Sequence, residues 1–300
     1  MTLREGMLEA ARRAPRLLGD SCLATAAFLR AQQNPDGGFR GRGSASDLYY
    51  TAFAVQGLAA LGEPPEPGPL RRYLASFGGG EDLDLVHLAC LARCWAALPG
   101  EDLPWVGNLR EACRQRIEAH RSTDGGYGPA PGAEHGTAYG CFFALGALED
   151  MNLPQVSNLR EVADCLAALR RDDGSYANER PLRSGTTPAT AAAVSVLKQL
   201  GRNVEPATVG WLLARAAPEG GFFATAAAPL PDLLSTATAL HALDGLGELP
   251  AGLRQACVAF VESLRTEEGG YLGLALDEEP DAEYTFYALL ALGHLGGSAA

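Results

Sequence analysis

Lysine is almost missing from this 300-residue chain. Lys198 is the only one among 24 basic residues, which face 36 acidic ones for a formal net charge of −12. A surface of that sign repels polyphosphate backbones, which excludes non-specific nucleic-acid binding. Any anionic ligand must be held locally, by a few arginines. Long apolar runs are also missing: no window reaches the roughly 18–20 uncharged residues a membrane span needs. The first twenty residues mix Arg and Glu and have no apolar signal core, so the expectation is a cytoplasmic protein. The seven cysteines are odd in number and scattered. Cys90 and Cys94 share a helix face, but Asp84 and His87 do not complete a zinc set with them. They read as core thiols of a reducing compartment.

What the chain does have is a repeat. A glycine-glycine-aromatic signature returns every 42 to 49 residues, at Gly37-Gly38-Phe39, Gly79-Gly80, Gly125-Gly126-Tyr127, Asp173-Gly174-Ser175-Tyr176, Gly220-Gly221-Phe222 and Gly269-Gly270-Tyr271. Before each signature lies an amphipathic stretch such as Leu109–Ala119 or Leu159–Leu169. After it comes a nearly charge-free one such as Thr236–Leu246 or Thr285–Leu295. The first kind reads as an outer, half-solvated helix and the second as an inner one. Near-identity of Leu103–Glu111 with Leu153–Glu161 sets the register of neighbouring units, with Asn108 and Asn158 as N-caps of outer helices.

Stacked units of this length cannot bury their apolar faces alone. An open array would need polar terminal repeats, yet the inner stretches of the first and last units, Tyr50–Leu61 and Tyr284–Leu292, are as apolar as the middle ones. The expectation is therefore an all-α fold, an α/α toroid (an α6–α6 barrel) of six helical hairpins. It forms a single domain over residues 1–300, with repeats at about 19–62, 68–98, 108–149, 158–201, 205–247 and 251–296. Residues 1–18 are an N-terminal extension.

In such a ring the inner helices run one way, so their N-termini and the glycine loops converge on one mouth. Unpaired N–H groups and the helix dipoles favour an anion there, above an apolar barrel. Three basic residues stand in loops before inner helices three and four: His135, and Arg180 with Arg183 in Asn178-Glu179-Arg180-Pro181-Leu182-Arg183. Forked, charge-assisted bonds from such residues suit a diphosphate, and solvated loop charge is the plainer alternative. Asp47, Asp232 and Asp281 occupy the same position at inner-helix starts, where an N-cap is needed. Asp281 and Glu283 form an acid pair facing the mouth. Burial could raise the pKa of one of them into the range of a catalytic acid, and Asp232 is a further candidate.

These segments carry a family resemblance that covers most of residues 19–296. The chain resembles the β subunits of protein prenyltransferases, most closely the Rab geranylgeranyltransferase type, and more distantly the terpene cyclases built on the same toroid. Asp124-Gly125-Gly126-Tyr127-Gly128, Pro131-Gly132, Glu134-His135 and Tyr139 are similar to the family segment whose histidine binds the isoprenyl diphosphate. Asn178–Arg183 is similar to the segment whose basic residues hold the same group. The resemblance implies diphosphate binding by His135, Arg180 and Arg183.

The chain also departs from the family. The family's three zinc-ligand positions read Thr186, Pro188 and Ser235 here, so no zinc is expected and a cysteine thiol would not be activated by that route. The acidic DxDD sequence of class II cyclases is missing too; its nearest match is Asp232-Leu233-Leu234-Ser235. Complement-like thioester domains are excluded, because Cys141 is followed by Phe142-Phe143.

The leading expectation is an enzyme that binds a prenyl diphosphate, with Tyr50, Tyr139 and Tyr284 lining the tail cavity. It would ionise the allylic diphosphate and let the cation cyclise or transfer to a small acceptor; magnesium would come only with the diphosphate. The alternatives are a non-catalytic toroid binding a lipid or protein partner, and a protein geranylgeranyltransferase β-like subunit with a separate helical partner.

Overall fold

The computed structural model describes residues 1–98, 108–152 and 158–297. The spacer segments 103–107 and 153–157, whose likeness set the repeat register, lie outside the described residues. Two N-terminal helices, α1 (Leu3–Ala11) and α2 (Pro15–Leu18), come first. Six outer and inner helices then alternate: α3 (Ser21–Ala31) and α4 (Leu48–Ala60), α5 (Pro67–Ala75) and α6 (Leu85–Ala97), α7 (Asn108–Ala119) and α8 (Ala138–Asp150). The second half continues with α9 (Leu159–Leu169) and α10 (Thr187–Gln199), α11 (Pro206–Leu213) and α12 (Leu233–Leu246), α13 (Arg254–Ser263) and α14 (Ala282–Leu295).

The two layers follow from the two residue patterns. Outer helix α9 buries Val162, Cys165, Leu166 and Leu169, an i, i+3, i+4, i+7 stripe, and leaves its other face to water. Inner helix α14 is buried along nearly its whole C-terminal half, from Ala288 to Leu295. Each inner helix packs on the next in sequence, and α14 packs on α4, so the ring closes.

The glycine signature explains how neighbouring repeats come so close. Gly37 has φ +98°, and a Cβ there would lie 2.1 Å from the Pro69 carbonyl oxygen of the next outer helix. Gly269 of the sixth repeat has φ +92° and presses in the same way on Ala24 of the first, 2.5 Å from its carbonyl carbon. Only glycine tolerates both the left-handed backbone and the contact. The aromatic that follows is buried, and its backbone N–H is held by a threonine one turn into the inner helix: Phe39 by Thr51, Tyr176 by Thr190, Phe222 by Thr236 and Tyr271 by Thr285, at 2.9 to 3.2 Å. Four of the six loops are thereby fastened to the helices they introduce.

The N-terminal extension closes the far end of the ring. A capping box, in which Thr2 and Glu5 satisfy each other's backbone N–H, starts α1. The helix packs on α4, α8, α10 and α14. The Leu3 N–H donates to Glu149 at 2.8 Å, and Arg4 pairs with the buried Asp150 at 2.8 Å, both at the C-terminal end of α8. At Gly293 a Cβ would come 1.9 Å from the Ala10 carbonyl oxygen, so α1 lies directly on α14. Of the outer-helix caps, Asn158 takes the N-cap position of α9, but its amide is hydrogen-bonded to Glu161, not to the helix backbone. Asn108 is the first residue of α7.

Candidate active site

All six inner helices begin with a side-chain cap. Asp47, Asp84, Thr137, Thr186, Asp232 and Asp281 each accept a hydrogen bond from a backbone N–H of the first turn. This common origin makes the ring interior readable as layers. Two residues past each cap stand Tyr49, Val86, Tyr139, Pro188, Leu234 and Glu283, and all six line one cavity of about 310 Å³. Six residues past, Phe53, Phe143, Ala192, Thr238 and Tyr287 line its middle, joined by Phe142 and Ala191. Nine past, Arg93, Ser195, His241 and Leu290 form the floor, and Met7 of α1 reaches in beside them. Offsets of two, six and nine fall on one face of a helix, which is why the layers repeat.

The wall is mainly aromatic and aliphatic. Tyr49 meets Phe53 edge-on at 4.9 Å between centroids, and Phe53 meets Tyr287 at 5.4 Å. Of the three tyrosines expected to line a tail cavity, Tyr139 lines this one, whereas Tyr50 and Tyr284 are not among its lining residues. They lie three positions past their caps, a further 100° around the helix, and pack on the loop glycines Gly41 and Gly273, where a Cβ would meet their rings at 2.3 and 2.4 Å. Tyr49 and Tyr287 take the inward positions.

Glu283 is the one carboxyl group on the wall among the described residues. The Tyr49 hydroxyl donates to its Oε1 at 2.7 Å, across the seam between repeats six and one. Burial raises its pKa to about 7; the Tyr49 hydrogen bond opposes the shift and the neighbouring Asp281 charge adds to it. The cavity thus holds a carboxyl group that keeps its proton to a far higher pH than a free one does.

The other two acids are used structurally. Asp281, 2% exposed, caps α14 through the Tyr284 N–H at 2.9 Å and pairs with Arg42 at 3.1 Å. Burial pushes its pKa up, with the cap bond and Arg42 opposing. Asp232 caps α12 through the Ser235 N–H and also accepts the Ser235 hydroxyl, both at 2.7 Å. Neither lines the cavity.

The three basic residues sit in neighbouring loops. Arg180 and His135 converge on one carboxylate: Arg180 Nη2 lies 2.9 Å and His135 Nδ1 3.5 Å from Asp124 Oδ2. Burial pushes the Asp124 carboxyl up, but the Ser122 hydroxyl, the Gly136 and Gly126 N–H groups and Arg180 together hold it below its ordinary value. Arg183 is exposed, with no ion pair among the described residues. The loop is bound to the ring by Asn178, which accepts from the Ala138 and Tyr139 N–H groups at the start of α8.

Three positions that the family resemblance ties to zinc are occupied as follows. Thr186 caps α10, Pro188 has no donor atom to offer and forms part of the cavity wall, and the Ser235 hydroxyl is spent on Asp232.

Residues 20–167 and 135–299 each match the model of the prenyltransferase alpha-alpha toroid domain, and the chain belongs to that family. Among solved structures, the type II terpene cyclase MstE from Scytonema, in a complex with geranylgeranyl dihydroxybenzoate, superposes with a TM-score of 0.63 at 16% identity, over 95% of this chain and 97% of that one. The Candida albicans protein geranylgeranyltransferase-I complexed with GGPP superposes with a TM-score of 0.67 at 14% identity, over 89% of each chain. At these identities the likeness is one of fold. No curated protein sequence matches the chain. Among the described residues, no helix is long and apolar enough to cross a membrane.

Proposed function

We propose that this chain is an isoprenoid-cyclising enzyme that starts its reaction by protonation. The observation that carries the reading is Glu283, a carboxyl group hydrogen-bonded to the Tyr49 hydroxyl on the wall of a mainly aromatic and aliphatic cavity, where burial raises its pKa to about 7. An isoprenoid tail fills the cavity. The Glu283 proton adds to a terminal C=C, whose electron pair forms the new C–H bond and leaves a cation on the neighbouring carbon. The Tyr49 hydroxyl supports the carboxylate left behind. The faces of Phe53, Tyr139 and Tyr287 attract the cation, about 1–2 kcal/mol for each desolvated ring, while further C=C bonds close rings onto it. No zinc takes part, since Thr186, Pro188 and Ser235 do not suit one.

His135, Arg180 and Arg183 stand in loops at the same mouth. Their grouping favours a second reading, in which they bind an allylic diphosphate, with magnesium if needed, and the cation forms by ionisation. Against it stands Asp124, whose carboxylate lies 2.9 Å from Arg180 and 3.5 Å from His135 and would repel a diphosphate.

The test is incubation of purified protein with geranylgeranyl diphosphate or geranylgeranyl dihydroxybenzoate, with and without magnesium, followed by product analysis and a diphosphate assay. Cyclised products that keep their head group are expected. Diphosphate release as the first event would favour the second reading. Binding without turnover would mean a non-catalytic, lipid-binding toroid.

A further inference from the structure

The cavity floor holds an ionisable chain that the initiation step does not use. His241 lines the cavity, and its Nδ1 lies 2.9 Å from His294 Nε2. His294 Nδ1 in turn lies 2.8 Å from Asp244 Oδ2. All three residues also line a second cavity of about 250 Å³, beneath α1 and beside the C-terminal ends of α10 and α12. His294 is 3% exposed, whereas the Asp244 side chain is 33% exposed. The chain therefore runs from the floor of the first cavity, through a buried imidazole, to a group that water reaches.

With Asp244 ionised and His294 neutral, the two contacts set the proton positions. An ionised Asp244 can only accept, so a neutral His294 gives it the Nδ1 proton and presents a bare Nε2. His241 must then donate its own Nδ1 proton to that nitrogen, which leaves His241 Nε2 as a lone pair. Burial pushes the His241 pKa down to about 3, with Lys198 and any charge on His294 acting in the same direction, so the ring is neutral at physiological pH. The Arg254 guanidinium holds the helix end in place through the Leu295 and Gly297 carbonyls, at 2.9 and 2.8 Å.

We propose that His241 is the base that ends the reaction, with His294 and Asp244 as positioning residues that carry the proton away. The proposal rests on the isoprenoid-cyclising reading. A C–H bond beside the final cationic carbon breaks, its electron pair becomes the product C=C, and the proton bonds to His241 Nε2. The His241 Nδ1 proton passes to His294 Nε2, and the His294 Nδ1 proton passes to Asp244, which releases it to water in the second cavity. After the product leaves, His241 Nε2 gives its proton to water in the emptied cavity. The His294 Nε2 proton returns to His241 Nδ1 and His294 Nδ1 takes one from water, which restores the starting tautomers. Glu283 recovers its proton from water, so substrate and product are isomers and no oxidant or reductant is needed.

Two measurements test this. Nitrogen-15 histidine NMR at neutral pH should show His241 neutral, with Nδ1 protonated and Nε2 bare; a proton on Nε2, or a charged ring, overturns the proposal without any substrate. Product analysis on geranylgeranyl dihydroxybenzoate compares wild type with His241→Phe and, should that variant fold poorly, Asp244→Asn. The ratio of the main alkene to water-quenched alcohols and isomeric alkenes should fall by about tenfold or more in His241→Phe, and by less in Asp244→Asn. An unchanged product ratio in both variants overturns this proposal and leaves the functional reading standing. Lack of turnover by wild type on either isoprenoid overturns both.

Discussion

The mouth of the ring has two charged sides built from similar residues, and only one turns its charge inward. Between repeats three and four, Asp124 draws His135 and Arg180 together in loops where those two side chains are 41% and 38% exposed. Between repeats six and one, Arg42 satisfies Asp281 and Asp277, which leaves Glu283 without a cation of its own and facing the cavity. The lesson concerns placement. A carboxylate beside arginine in a wet loop stays ionised, whereas a carboxyl bonded only to a tyrosine in an apolar wall keeps its proton up to about pH 7.

The largest effect expected from breaking this asymmetry is on turnover. Glu283→Gln keeps the shape and the Tyr49 contact but loses the proton, and turnover of geranylgeranyl dihydroxybenzoate should fall by about 10²–10⁴-fold in a product assay. The seam can also be loosened from outside. Gly269→Ala places a Cβ against Ala24 at φ +92°, which should cost about 1–3 kcal/mol from backbone strain alone, read by urea unfolding. It should lower activity as well, because the Glu283–Tyr49 bond crosses that seam.

Stability against pH isolates the titration itself. Glu283 has a folded pKa of about 7 against 4.5 for the free side chain. Its stabilising contribution is complete below 4.5 and is lost as the pH rises to 7. Glu283→Gln removes that loss, so its stability relative to wild type should rise by about 2–3 kcal/mol between pH 4.5 and 8. Activity should fall above pH 7 in wild type. The smallest effect belongs to the other side of the mouth: Arg180→Ala with Arg183→Ala should change turnover of the diphosphate-free substrate by about threefold or less, as for exposed charges.

The sequence made the ring legible because its devices are periodic. The glycines stand where one repeat touches the next, and the charge-free stretches stand where helices are buried on all sides. Glu283 was visible as an acid at a helix start, and His135, Arg180 and Arg183 as a basic group. Which tyrosines face inward was not visible, because Tyr49 and Tyr50 differ by one position and only the cap at Asp47 fixes the rotation. Counting from the caps, a rule available in the sequence, would have selected Tyr49, Glu283 and His241 at once. The closing role of α1 had a signal in Thr2, Glu5 and the apolar Leu3, Met7 and Leu8, but this segment stands outside the repeat. The pairings of His241 with His294 and of Arg180 with Asp124 join residues 53 and 56 positions apart, and only the closed ring brings them together.

The source of the first proton separates the two sides of the mouth most directly. Wild-type protein is run in deuterium oxide with geranylgeranyl dihydroxybenzoate and with geranylgeranyl diphosphate, and the products are weighed by mass spectrometry. Protonation by Glu283 predicts one deuterium bound to carbon in the cyclised product and an intact head group. Product without carbon-bound deuterium, formed together with free diphosphate, would contradict the account and assign the chemistry to His135, Arg180 and Arg183.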